Sequence, residues 1–371
     1  MKIKKIASFV SAAIMAAMPY SVMTGTYETA SLTAFADELS GDCYYAVVDD
    51  HVEITGCSAN ASDVKIPESI EGLPVTVIGD YAFDAASITS VTIPDSVRKI
   101  GNWSFTLCEN LKSITIPDSI ESIGISAFEM CSSLSEVNFP DHMVEIDAHA
   151  FEYTPWLTAQ RQKGDFVVVN GDLIDAHNTK GDVVIPSDIK YVSPGAFDNN
   201  EDITSVVFPS NIKKLNDSTF FYCTNLKSAD LRYVTEIEGM AFAGCENLKE
   251  IKLPANMTSI NYYAFADING SASITVYGSK SDWDKVEKND EDTFLNNSTY
   301  IFEAAISEPD TYIEGDVNAD GKFNTSDLVT MNQWLLGSPE AELKNWEAGD
   351  MLKDDVLDVF DLIMMRKALV S

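Results

Sequence analysis

Basic residues are scarce in this chain. Lys and Arg number 25 against 58 Asp and Glu, a formal net charge of -33 across 371 residues. Such acidity argues against nucleic acid and anionic membrane as partners, since both would repel it. It suits a protein that meets divalent cations. Histidine is scarcer still: His51, His142, His149 and His177 are the four, and none stands in a His-Glu-x-x-His or other metal-ligand spacing. No Gly-x-Ser-x-Gly, Cys/His pairing or glycine-rich phosphate loop occurs, so no catalytic residue is assigned. Paired carboxylates of the glycosidase kind carry no information in a chain with this many acids. Beyond residue 36 no run is long and apolar enough to span a bilayer, so no membrane insertion is expected.

Residues 1–36 read as a secretory signal. Lys2, Lys4 and Lys5 form the basic start, Ile6 to Met18 the apolar run, and Ala34-Phe35-Ala36 a small-x-small cleavage site before Asp37. A retained anchor is the rival reading. Four of the six cysteines fall at one repeat position: Cys108 and Cys131, Cys223 and Cys245. They are expected to stack as small buried hydrophobes. Cys43 and Cys57 either pair or remain free.

The middle of the chain repeats. An Ala/Ser/Thr-Phe pair recurs at Phe83, Phe105, Phe128, Phe151, Phe197, Phe220, Phe242 and Phe265, in steps of 22 or 23 with a single double step. At the double step one coil has lost its signature, and Asp165 to Ile174 reads as a hairpin instead. Ile88, Leu111, Leu134, Ile203, Leu226 and Leu248 form a second column. Short strands ending at Pro94, Pro117, Pro140, Pro209 and Pro254 form a third, with proline removing a ladder donor where the strand must stop. A fixed period in the low twenties means a solenoid, in which stacked coils bury what one coil cannot. The expected fold is a leucine-rich-repeat solenoid with one parallel β-strand per 22–23-residue coil and irregular return segments. It would occupy residues 37–303 with a cap at each end, followed by a short linker at 304–312.

The Ile-Pro-x-Ser-Ile/Val and Ile-Gly-x-x-Ala-Phe signatures resemble the BspA-like leucine-rich repeats of bacterial surface proteins. The resemblance covers roughly residues 42–302, and Trp283 with Tyr300 to Phe302 looks like that family's closing cap. It implies adhesion or protein binding rather than catalysis.

The tail carries one pattern twice. Asp316, Asn318, Asp320, Asn324 and Asp327 occupy loop positions 1, 3, 5, 9 and 12, with the Lys322 carbonyl at position 7. Asp350, Asp354, Asp358 and Asp361 recur 34 residues later, with the Val356 carbonyl at position 7. This spacing wraps backbone and side-chain oxygens around Ca2+. Loop 2 has Leu352 at the third position and Asp355 where glycine is usual, so its site is expected to be the weaker of two. An apolar helix follows each loop in the same register.

Residues 313–371 resemble a type I dockerin, a small all-α calcium-binding module that plugs into the cohesin modules of a scaffoldin. The loop repeats and the segment Val359 to Lys367 carry the likeness. A generic EF-hand pair is the alternative, although Gly315 and Gly349 leave little room for a helix before each loop. The resemblance implies cohesin contact through loop positions 10 and 11 and the helix beyond: Thr325 and Ser326 in the first repeat, Val359, Phe360, Arg366 and Lys367 in the second. The two faces differ, so one binding orientation is expected. The competing view is that Val359 and Phe360 cover the tail's own core.

On the solenoid, the residue two before each Phe varies freely: Tyr81, Trp103, Ser126, His149, Gly195, Ser218, Met240 and Tyr263. Tyr81, Trp103, His149 and Tyr263 are the surface candidates for an unknown protein or glycan ligand, with partly packed aromatics as the plainer reading. The middle strand residues Thr92, Thr115, Asn138, Val207, Asp230 and Lys252 are expected on the open sheet face. The leading function is a non-catalytic, cellulosome-associated binding or adhesion protein. The alternative is a carbohydrate-binding component that targets the complex to plant cell-wall polysaccharide.

Overall fold

The computed structural model describes residues 38–268, 270–288, 293–304, 315–318, 323–338, 341, 343, 345–351 and 357–369. The expected signal at 1–36 and nearly all of the linker lie outside them.

An antiparallel meander, Glu38–Ser40, Cys43–Val48 and His51–Cys57, opens the rod, and its third strand pairs in parallel with Leu73–Ile78. From there the chain coils as a solenoid with two parallel sheets. The first contains Gly181–Val184, Ile203–Val207, Ser228–Asp230, Glu250–Pro254, Ser273–Tyr277 and Thr299–Glu303 in one six-stranded ladder. The second is built from two-residue strands such as Lys99–Ile100, Ser122–Ile123, Lys214–Leu215 and Glu236–Ile237. This second strand in each coil refines the expectation of one. Two residues are too short to leave a period in the sequence.

The Phe column is the spine. Phe83, Phe105, Phe128 and Phe151 stack face to face at centroid spacings of 4.8, 5.0 and 5.2 Å. Phe197, Phe220, Phe242, Phe265 and Phe294 form a second stack. Each ring is almost wholly buried, worth roughly 2–3 kcal/mol apiece by apolar burial. A left-handed residue stands on either side of each of the first-named eight phenylalanines. The variable residue two before it has φ between +52° and +67°, and the residue two after it, from Ala85 to Asp267, has φ between +53° and +76°. Two such residues fold the return segment tightly around the ring. The four repeat cysteines are fully buried, and each thiol donates to a Phe carbonyl of the preceding coil at 3.0–3.1 Å. Cys43 and Cys57 face each other in register, and both thiols are free.

The double step is an interruption of the first sheet. Helix α1 (Pro155–Arg161), capped by Thr154, takes the place of a coil's first strand. A hairpin, Val167–Val169 with Asp172–Asp175, follows as expected. Ala176 donates its N–H to Ala196 O, the bond that Phe105 makes to Ala127 in a regular coil. It therefore stands at the missing Phe position. Trp156 of α1 packs on Phe151, and Phe166 packs edge-on against Phe197, closing the two ring stacks.

Short helices α2 (Lys280–Trp283) and α3 (Thr293–Asn297) close the solenoid, burying Trp283, Phe294 and Leu295. The tail contains α4 (Thr325–Leu335) and α5 (Val359–Ala368). Among the described residues no helix is long and apolar enough to cross a membrane.

Candidate functional site

The two tail units share one local geometry. Asn324, in extended backbone, caps α4 by accepting from Ser326 N at 2.8 Å, and Asp327 reaches back to Asn324 N at 2.9 Å. Asp358 caps α5 in the same way, accepting from Phe360 N at 2.7 Å, and Asp361 accepts from Asp358 N at 3.0 Å. Loop positions 9 and 12 thus double as cap and third residue of a capping box.

Asp316, Asp327, Asp350 and Asp361 are buried. Burying a carboxylate costs several kcal/mol unless it is compensated, and a hard cation with oxygen ligands is compensation of the right chemistry. Asn318, Asn324 and Asp358 are half-buried beside them. The donors at positions 1, 9 and 12 of both loops are oxygens, the ligand type that calcium takes. Asp320, Lys322, Asp354 and Val356 lie outside the described residues. Among the described residues alone, no three His, Cys, Asp or Glu groups converge into a metal-sized cluster.

The tail's hydrocarbon core is small: Val317, Met331 and Met365 are fully buried, with Phe323, Leu328 and Leu362 packed against them. Gly315 has φ +91°, and the Phe323 ring occupies the space a Cβ would need there. Gly315 N donates to Ala348 O at 2.7 Å, tying the first unit to the turn before the second.

Val359 is 54% exposed and Phe360 60%, so neither covers that core. Ile363, one turn further on, is 52% exposed, and Arg366 and Lys367 are also exposed. On α4, Thr325 and Ser326 are exposed, with Val329 in the register position of Ile363. No surface role is expected of Val329 or Ile363 from the dockerin resemblance. Their spacing of four residues from Thr325 and Val359 was the available signal.

On the solenoid the surface candidates divide. Tyr81 is exposed, but it stacks on Trp103 at 5.1 Å and 9°, which covers one face of the indole. Tyr263 is exposed and meets Tyr262 edge to face. Thr92, Thr115, Asn138 and Val207 are exposed on the sheet face as expected, whereas Asp230 is buried beneath Arg232 and Lys252.

His149 departs furthest from its expected free surface position. It is half-buried, and its Nε2 lies 3.1 Å from Asp198 Oδ2. His177 joins the same cluster, 3.1 Å from Asp198 Oδ1 and 2.7 Å from Asp175 Oδ2. Arg161, at the end of α1, grips both Asp175 and Glu152. Burial works against the His177 cation, but the Asp175 and Asp198 carboxylates outweigh it and carry its pKa up to about 10. Burial likewise raises Asp198, and the two imidazoles overcome that to hold it at about 2. The cluster borders a void of only about 20 Å3, room for a water. With Asp175 and Asp198 held as anions by fixed cations, the arrangement braces the interruption and offers neither acid near neutrality.

The family profile "BspA type Leucine rich repeat region" matches residues 56–164 and 177–305, in 6 copies. The profile "Dockerin type I domain" matches residues 314–370. Among solved structures, a leucine rich cell surface protein from Faecalibacterium prausnitzii is 21% identical, covering 68% of this chain and 97% of its own, with a TM-score of 0.32. The T. pallidum leucine rich repeat protein is 26% identical over 57% of this chain and 90% of its own, with a TM-score of 0.34. A Bacteroides ovatus leucine-rich repeat protein is 23% identical over 72% of this chain and 71% of its own, with a TM-score of 0.35. No curated protein matches the chain.

Proposed function

The chain belongs to the BspA-type leucine-rich-repeat family, and from that premise we propose that it is a secreted, non-catalytic binding component of a cellulosome-type assembly. Both of its module types are non-catalytic. A type I dockerin implies a cohesin partner, and a leucine-rich-repeat solenoid implies protein binding. In this reading the dockerin seats the protein on a scaffoldin cohesin, and the solenoid holds a protein or surface ligand. Export would follow from the signal-like residues 1–36, and attachment to the cell surface would run through the scaffoldin.

The observation that carries the docking half is the exposure of Val359, Phe360 and Ile363 beside Arg366 and Lys367. Exposed aromatic and arginine side chains on a rigid helix are the usual anchors of an interface. The polar Thr325 and Ser326 face offers less, which supports one binding orientation through α5. Calcium, when bound, would supply the positive charge that gathers the loop carboxylates. Asp316, Asn318, Asn324 and Asp327 would hold the first ion together with Asp320 and the Lys322 carbonyl. Asp350, Asp358 and Asp361 would hold a second, weaker one with Asp354 and the Val356 carbonyl. Leu352 offers no oxygen there.

Titration of the full chain against a panel of cohesins in calcium tests the docking surface. Phe360→Ala should weaken binding by about 2 kcal/mol, near thirtyfold, and Thr325→Ala by little. An unchanged affinity for Phe360→Ala would remove α5 from the contact. Calorimetry showing two equally tight calcium sites would refute the ranking of the loops.

A further inference from the structure

The proline column lapses at three positions, and they border one cleft. Strands of the first sheet end at Pro94, Pro117, Pro140, Pro186, Pro209 and Pro254, but Arg232 and Tyr277 stand at that place in the coils on either side of Pro254, and Glu303 in the coil after Tyr277. Between them lies a cleft of about 640 Å3, bordered also by Tyr233, Asn256 and Asp282. It is the larger by far of the two described cavities.

Its wall is built rather than incidental. Asp230, which is 8% exposed, accepts from Arg232 Nε at 2.8 Å and also from Nη2, and Lys252 Nζ lies 3.1 Å away. The guanidinium carbon sits 5.4 Å from the centroid of the Tyr277 ring, reaching across the intervening coil. Arg232 is thereby fixed in plane, with Nη1 left over from the Asp230 contact. Tyr233, with Lys213 over its ring at 5.9 Å, forms a second aromatic border.

The rim narrows the ligand chemistry. An anion would meet Asp282, Glu303 and the field of a chain at -33. A cation would meet the fixed guanidinium. An apolar molecule would strand the polar groups of the rim. A neutral polyol can use amide, guanidinium and carboxylate together while laying carbon against tyrosine, the combination of apolar wall and few polar groups found in small-molecule sites. A peptide adding to a sheet needs a free strand edge, and this cleft lies beyond the strand ends. The geometry points to a carbohydrate site at Arg232, Tyr277 and Asn256 that takes pyranose rings of a neutral oligosaccharide. This goes beyond the docking role and deepens the glycan alternative for the solenoid.

The test is calorimetry of the full chain with cellohexaose, xylohexaose and maltohexaose. At least one should bind with a Kd of 1 mM or tighter, and EDTA should not alter it, which separates this site from the dockerin. Tyr277→Ala and Arg232→Ala should each weaken binding tenfold or more. Because those two side chains support each other, Asn256→Ala supplies a fold-neutral check on an exposed residue and should cost at least threefold. Val184→Ala, an exposed residue of the same sheet that does not line the cleft, should have no effect. Binding of none of the three sugars overturns the proposal. So does binding that survives Tyr277→Ala, Arg232→Ala and Asn256→Ala, or binding of an extended peptide that displaces the sugar-competent state without needing Asn256.

Discussion

Between Phe83 and Phe294 the solenoid is held together by hydrocarbon: two stacks of rings, columns of Ile and Leu, and buried thiols. Among the described residues between Gly315 and Leu369 the tail fully buries three large apolar side chains, Val317, Met331 and Met365, and buries four carboxylates beside them. A stack of coils gains apolar contact with every repeat added. A small unit cannot, and below a certain size a metal usually supplies what the core lacks. The same acidic composition is mostly solvated on the rod, whereas in the tail four of the described carboxylates are buried.

The contrast breaks most sharply under chelation. EDTA should abolish the helical circular dichroism of the tail and leave the melting transition of the solenoid in place. If both regions melt together, or neither responds, the division of labour is wrong. Next in size, Phe128→Ala removes one ring from the first stack and should cost the solenoid about 3–5 kcal/mol, read by denaturant unfolding, with calcium binding by the tail unchanged.

A smaller effect sits at the interruption. Asp172 is fully buried, and one of its oxygens has no hydrogen-bond partner. Burial pushes its carboxyl up to about 7. The unfolded carboxyl ionises near 3.8, so the folded state binds the extra proton and stability falls as pH rises from about 4 to 7. Asp172→Asn should therefore stabilise the rod by about 1–3 kcal/mol at pH 8 and by little at pH 4. Equal effects at both pH values would show that the charge is not the cause.

The smallest expected change concerns the His177 cluster. A folded pKa near 10 means its stabilisation is complete below about 6.5 and is lost as pH climbs through 10. Asp198, held near 2, contributes above about 3.8 and loses that as pH falls through 2. His177→Gln should flatten the alkaline limb of the wild-type melting profile and leave the region near pH 3 less affected.

The regular coils were legible because Phe, Leu and Pro recur at fixed steps, and each is there for a packing or hydrogen-bonding reason that any coil shares. The hairpin at the double step was legible from its own alternation. Helix α1 was not: seven residues beginning with Pro155 and Trp156 give too short a pattern, and Trp156 is placed by its packing on Phe151. His149 misled because its partner, Asp198, lies 49 positions away across an interrupted coil, and nothing local marks such a contact. In the tail, the repeated loop spacing and the helix after each loop were plain in the sequence. Val359 and Phe360 were expected outward from their loop positions, and Ile363, one turn on from Val359, shares their exposure while Met365 meets the core.

The paired left-handed residues around each of the eight phenylalanines bear on how such a rod grows. A non-glycine residue in that conformation is strained by roughly 1 kcal/mol, and contacts between neighbouring coils offset it: the ring stack and backbone bonds such as Trp103 N to Ile125 O and Leu107 N to Glu129 O. A single copied coil would carry this strain alone and could not hold its shape outside a row. Lengthening by gene duplication is therefore open to a segment inserted within an existing array, and closed to a coil set adrift by itself.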